Sequence, residues 1–162
     1  MSIPDESRGL QIEFRRVIED GSSSPVNDVA VNADSTEFFQ VVCRINNIGD
    51  FGKLTTISVS RWQGSSFQTL ALMQNVDDTE TDSYRKPFLS QGGSGWTAVG
   101  EYASNSRDSY VGVARQLSSV SCNEAISYRC DVAYTAPAPG FQAQNGAINK
   151  TLSVRGNSVF FP

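Results

Sequence analysis

The stretch that most constrains this chain is Asn123-Glu124-Ala125-Ile126-Ser127-Tyr128-Arg129-Cys130-Asp131-Val132-Ala133-Tyr134. Tyr128, Cys130, Val132 and Tyr134 recur at every second position, the period of a strand with one buried face. An acidic residue stands four positions before the tyrosine, and the tyrosine stands two before the cysteine. The whole run reads as a single strand. A second cysteine, Cys43, lies 87 residues upstream in the same kind of pattern, with Phe39, Val41, Cys43 and Ile45 on one face of residues 37–45. Two such cysteines either bridge or remain reduced in the core, since cysteine is often buried in both states. A bridge closing so long a loop would contribute about 4 to 5 kcal/mol in the chain-entropy description.

The rest of the chain supplies further short strands. Residues 1–9 are a polar lead-in. Leu10, Ile12 and Phe14 alternate as in a strand, although Leu10, Phe14, Val17 and Ile18 also satisfy helical spacing. Asp20-Gly21-Ser22-Ser23-Ser24-Pro25 is a break, and Val29 and Val31 begin another short alternation. Residues 54–62 and 67–73 form a hairpin across Gln63-Gly64-Ser65-Ser66, with Ile57 and Val59 on one face and Trp62 on the other. Residues 96–102 and 110–117 form a second hairpin. Asp77-Asp78-Thr79-Glu80 and Gln91-Gly92-Gly93-Ser94-Gly95 read as mobile loops, and a long loop from Thr135 to Gly146 precedes a closing strand over 147–154. Seven or more strands punctuated by turns predict an all-β sandwich, and 162 residues suffice for one core.

Composition removes whole classes of function. The chain has no histidine, so His-dependent catalytic triads and His-containing zinc sites are excluded. With a net charge of -4 and no basic cluster, no nucleic-acid partner is expected. No apolar run is long enough to cross a bilayer as a helix, so no membrane insertion is expected. The acids at Asp77, Asp78, Glu80 and Asp82 lack the spacing of a defined calcium loop, so neither metal nor cofactor is expected. Asn149-Lys150-Thr151 is a glycosylation sequon.

Cys43, the run from Glu124 to Cys130 and the strand order around them resemble a variable-type immunoglobulin domain over about residues 35–156, with 1–34 as an N-terminal extension and first-strand region. The resemblance implies a two-sheet antiparallel β-sandwich with Greek-key topology. It also implies a Cys43–Cys130 disulfide and a tyrosine corner at Tyr128. Glu124 stands where that family usually has Asp, Ile126 where it has a small residue, and Val59 where it has the core tryptophan; no Gly-x-Gly opens the last strand. Ile57-Ser58-Val59-Ser60-Arg61-Trp62 followed by Phe67-Gln68-Thr69-Leu70-Ala71 is similar to the immunoglobulin domains of gastropod fibrinogen-related immune lectins.

The functional expectation is a non-enzymatic recognition or adhesion module of a larger invertebrate immune protein, binding a protein or glycan ligand. The competing reading is a structural sandwich of a virion, fibre or spacer. Binding candidates lie at the tip of the 135–146 loop: Pro139, Gly140, Phe141 and Gln142. Cys122 is left over, to bond another chain, to pair outside this sequence or to stay free, and a disulfide-linked or non-covalent homo-oligomer is anticipated. Met1–Glu6 lacks the basic start and apolar centre of a secretory signal. Because the bridge needs an oxidising compartment, the expected location is secreted or extracellular, with the signal outside this sequence.

Overall fold

A computed structural model describes residues 9–32, 34–45, 53–74, 87–101, 109–135 and 143–155. The first sheet is built on β4 (Phe38–Ile45), in which Phe39, Val41, Cys43 and Ile45 are all fully buried. On one side β4 pairs antiparallel with β1 (Leu10–Val17), whose Leu10, Ile12 and Phe14 enter the same core. A turn with Gly21 at φ +88° sends the chain back as β2 (Ser23–Val26) along β1. A side chain at that φ would be strained, which is why glycine stands there. Pro25 is tolerated because β2 is an outer strand. On the other side of β4 lie β9 (Tyr110–Gln116) and then β8 (Thr97–Glu101), the second hairpin.

The second sheet runs β11 (Ala143–Thr151), β10 (Ser127–Thr135), β5 (Lys53–Trp62), β6 (Phe67–Gln74) and β7 (Phe88–Leu89). Two strands beyond β5 on the side away from β10 give it the five-stranded make-up of a variable-type sheet. A separate parallel pair joins β3 (Asp28–Ala30) to β12 (Ser153–Arg155). Between the two large sheets, Phe14 packs on Phe39 at 6.2 Å and edge-on to Tyr128 at 5.7 Å, and Phe39 meets Trp96 at 6.3 Å. Side chains of both sheets thus interlock through aromatic contacts near the centre of the core.

Three boundaries differ from the sequence reading. Asn123 and Glu124 are not in the strand: Cys122–Glu124 is a 3-10 turn, and β10 begins at Ser127. β11 starts at Ala143, four residues earlier than expected, because pairing with Tyr134 and Thr135 recruits a segment of low strand propensity. The stretch read as a mobile loop at Gln91–Gly95 contains a 3-10 turn over Gln91–Gly93 that is packed against β6. A Cβ on Gly92 would fall 2.5 Å from the Thr69 carbonyl oxygen, so the glycine permits that close approach.

Candidate functional site

The frame behind the site is the link between β10 and β4 across the sandwich. Cys43 and Cys130 form a disulfide with Cα atoms 5.3 Å apart. Val59, opposite Cys130 in the β5–β10 register, is fully buried beside it. The Tyr128 hydroxyl donates to the Glu124 carbonyl oxygen at 3.3 Å, closing the tyrosine corner. Glu124 itself is buried and held from two directions. Its Oε2 accepts from the Ser121 N–H at 2.8 Å and the Ser121 hydroxyl at 3.0 Å, completing a capping box. Its Oε1 accepts from Arg115 Nη1 at 2.8 Å, while Arg115 Nη2 donates to the Gly95 carbonyl and the guanidinium lies 4.4 Å above the Trp96 ring.

Burial pushes the Tyr128 hydroxyl well above its ordinary range. The folded chain therefore favours the neutral phenol. Its contribution to stability is complete below the unfolded value of about 10 and is lost progressively as pH rises above it. Tyr128→Phe is expected to cost about 1 kcal/mol at neutral pH through the lost hydrogen bond. The same substitution should flatten the alkaline loss of stability, read by denaturant titrations at neutral pH and above pH 10.

Strand alternation turns Arg129, Asp131 and Ala133 to the outer face of the second sheet. Arg129 Nε donates to Asp131 Oδ1 at 2.9 Å, and its guanidinium sits 5.5 Å from the Phe67 ring centre. Phe67 in turn meets Trp62 edge-on at 5.1 Å, with Trp62 37% exposed. Phe88, 45% exposed, lies on the outer strand opposite Leu72. Beside this cluster a shallow groove of about 730 Å³ is lined by Thr56, Arg129, Asp131, Ala133, Asn145 and Ala147. The face offers π surfaces, a guanidinium, a carboxylate and amides within one plane. Such groups can stack on and hydrogen-bond to a ligand.

Other sequence candidates are dispersed. Cys122 is exposed and unbonded in the 3-10 turn. Asn149 is exposed on β11, in register with Arg129. Pro139, Gly140, Phe141 and Gln142 lie outside the described residues, as do Asp77, Asp78, Glu80 and Asp82. Thr135 and Ala143–Gly146, expected in the long loop, belong to strands. Among the described residues no group of three or more Cys, Asp or Glu could hold a metal ion. Sequence reasoning missed Arg115 and Trp96, for which no local motif exists. The Ser121-x-x-Glu124 capping signature was available and would have placed Glu124 in a turn.

The backbone is similar to the solved structure of murine CRIg, with a TM-score of 0.53 and 11% identity, over 90% of this chain and 98% of that one. The fold is immunoglobulin-like. Strand order, Greek-key sandwich and inter-sheet disulfide agree with the variable-type arrangement expected from Cys43 and the Tyr128-x-Cys130 run. At that identity the likeness concerns the fold alone. No family model matches the sequence, and no curated protein does. No helix among the described residues is long and apolar enough to cross a membrane.

Proposed function

We propose that this chain is a non-enzymatic extracellular recognition module that binds a protein or glycan partner across the outer face of the β11-β10-β5-β6-β7 sheet. The observation that carries the reading is the cluster of exposed Trp62 with half-buried Phe67 and Arg129. Tryptophan and arginine dominate binding hot spots because they combine large contact area with a polar handle. The inter-sheet disulfide supports an oxidising compartment, and the exposure of Asn149 suits a glycan acceptor there. The resemblance of Ile57–Trp62 and Phe67–Ala71 to the immunoglobulin domains of gastropod fibrinogen-related immune lectins is the reason to propose an origin in an invertebrate immune or adhesion protein. Pro139, Gly140, Phe141 and Gln142, which follow β10 in the sequence, are proposed as further contacts. Cys122 is available to bond a cysteine of another chain.

The test is a screen of the chain, displayed multivalently, against arrays of extracellular proteins and of glycans. Trp62→Ala is expected to weaken any hit by about 2 kcal/mol or more while changing folding stability by less than about 1 kcal/mol. Binding that survives loss of Trp62 and Arg129 together removes the sheet face from the proposal. Silence in both arrays, with assembly of the chain into filaments, supports the structural-sandwich reading instead.

A further inference from the structure

We infer that β11 pairs edge to edge with β11 of a second copy of this chain, centred on Ala147. The inference is independent of the ligand proposed above. Of the strands that end the two large sheets, β2 has four residues, β7 two and β8 five, whereas β11 has nine. An outer strand presents unpaired N–H and C=O groups, and long ones are normally guarded by charge, proline or a bulge. β2 carries Pro25 and β8 ends on Glu101. β11 has neither proline nor acid, and its register with β10 is unbroken. Its one guarding charge, Lys150, is inward, 5.3 Å from the Phe14 ring, and stands one residue from the end of the strand, away from Ala147.

The direction of the free groups follows from one hydrogen bond. The Leu152 N–H donates to the Ile126 carbonyl at 3.1 Å, continuing the β10–β11 register by one pair. Antiparallel ladders alternate between bonded and non-bonded pairs. The backbone groups of Ile148 and Lys150 therefore point to β10, and those of Asn145, Ala147, Asn149 and Thr151 point to the edge on which β11 has no neighbouring strand in its sheet among the described residues.

A two-fold axis through Ala147 aligns all nine residues with their copies. Ala147 then faces itself in a bonded pair, Asn145 faces the partner's Asn149, and Gly146 faces the partner's Ile148. Lys150 faces the partner's Gln144, so no charge opposes its like. Any other centre leaves residues unpaired. Asn145 and Asn149 are both exposed, and their amides can donate and accept across the seam. The contact is isologous and closes at two copies, joining two five-stranded sheets into one. The other outer strands are too short to propagate it. A glycan on Asn149 would occupy the seam, so the pairing belongs to the unmodified chain.

The chain made in a non-glycosylating host with Cys122→Ser is therefore expected to sediment at twice its monomer mass of 17.6 kDa. Ala147→Pro removes an N–H that makes no bond to β10, and should restore the monomer with unchanged far-UV circular dichroism. Ala147→Cys in the same background provides a second readout. Cα atoms of a bonded antiparallel pair lie about 5.5 Å apart, within disulfide reach, so oxidation should give a covalent dimer. Asn145→Cys, about 14 Å from its own copy along the strands, should not. A persistent monomer, a dimer indifferent to Ala147→Pro, assembly beyond two copies, or equal cross-linking by both cysteine variants overturns the inference.

Discussion

Replacing Cys43 and Cys130 together by alanine is expected to lower the unfolding free energy by about 4 to 5 kcal/mol, a loss that urea denaturation without reductant would measure. The magnitude follows from the sequence separation of 87 between the two cysteines. In the chain-entropy description the bridge acts on the unfolded state, restricting it in proportion to the logarithm of the loop length. The denaturant slope should rise in the double variant, because its unfolded chain expands further and exposes more surface. Both sulfurs come from fully buried residues, so alanine leaves a small apolar void beside Val59 rather than an unsatisfied polar group. A loss below about 1 kcal/mol would show that the reduced unfolded chain is already confined by residual structure. Domains of this size have only about 5 to 15 kcal/mol in hand, so the substitution approaches the limit of folding.

Arg115→Leu is expected to cost about 3 to 5 kcal/mol, because it leaves the Glu124 carboxylate buried without its cation. The side chains of Arg115 and Glu124 are only 15% and 6% exposed. Their pair also connects three elements: the end of β9, the Cys122–Glu124 turn and, through Trp96 and Gly95, the start of β8. Replacing both residues by leucine should cost less than the sum of the single changes, since no charge is then stranded. A double-mutant cycle followed by thermal denaturation measures the difference. If the two costs add, the pair behaves as an exposed one and contributes little.

The parts of the fold that were legible in the sequence are those where one face is buried and the other wet. Phe39, Val41, Cys43 and Ile45 could be assigned to one face because a slip of one residue would expose them all. Tyr128, Cys130 and Val132 were legible for the same reason. The 3-10 turn at Cys122–Glu124 was not, because strand periodicity was carried upstream past a capping box. The start of β11 was hidden because Ala-Gln-Asn-Gly has the composition of a turn, and only its pairing with Tyr134 and Thr135 makes it extended. Trp96 follows a glycine-rich stretch that looks mobile from composition, yet Gly92 and Gly93 lie against the β6 backbone. At the candidate face, Trp62 could be assigned to the side opposite Ile57 and Val59. Its meeting with Phe67, over which Arg129 lies, depends on a register shift at Val59/Ser60 that no local pattern announces. The strand assignment was also blind to the free edge, because lateral neighbours are a property of topology.

The strand directions also determine how the domain would respond to tension. β1 and β11 both run from the end of the sandwich where β4 passes into β5 toward the opposite end, so the chain enters at one pole and leaves at the other. A pull on the two ends therefore acts along the strands. The β1–β4 ladder and the parallel β3–β12 ladder resist it in shear, with their hydrogen bonds strained together instead of opening one after another. Behind both ladders, the Cys43–Cys130 bond ties the two sheets and shunts force past everything between them. Once the outer strands yield, the segment inside the bond, about 300 Å of extended chain, stays out of the extension until the bond is reduced. The bridge thus limits reach as well as favouring the folded state, making oxidation a control on how far the domain can be drawn out.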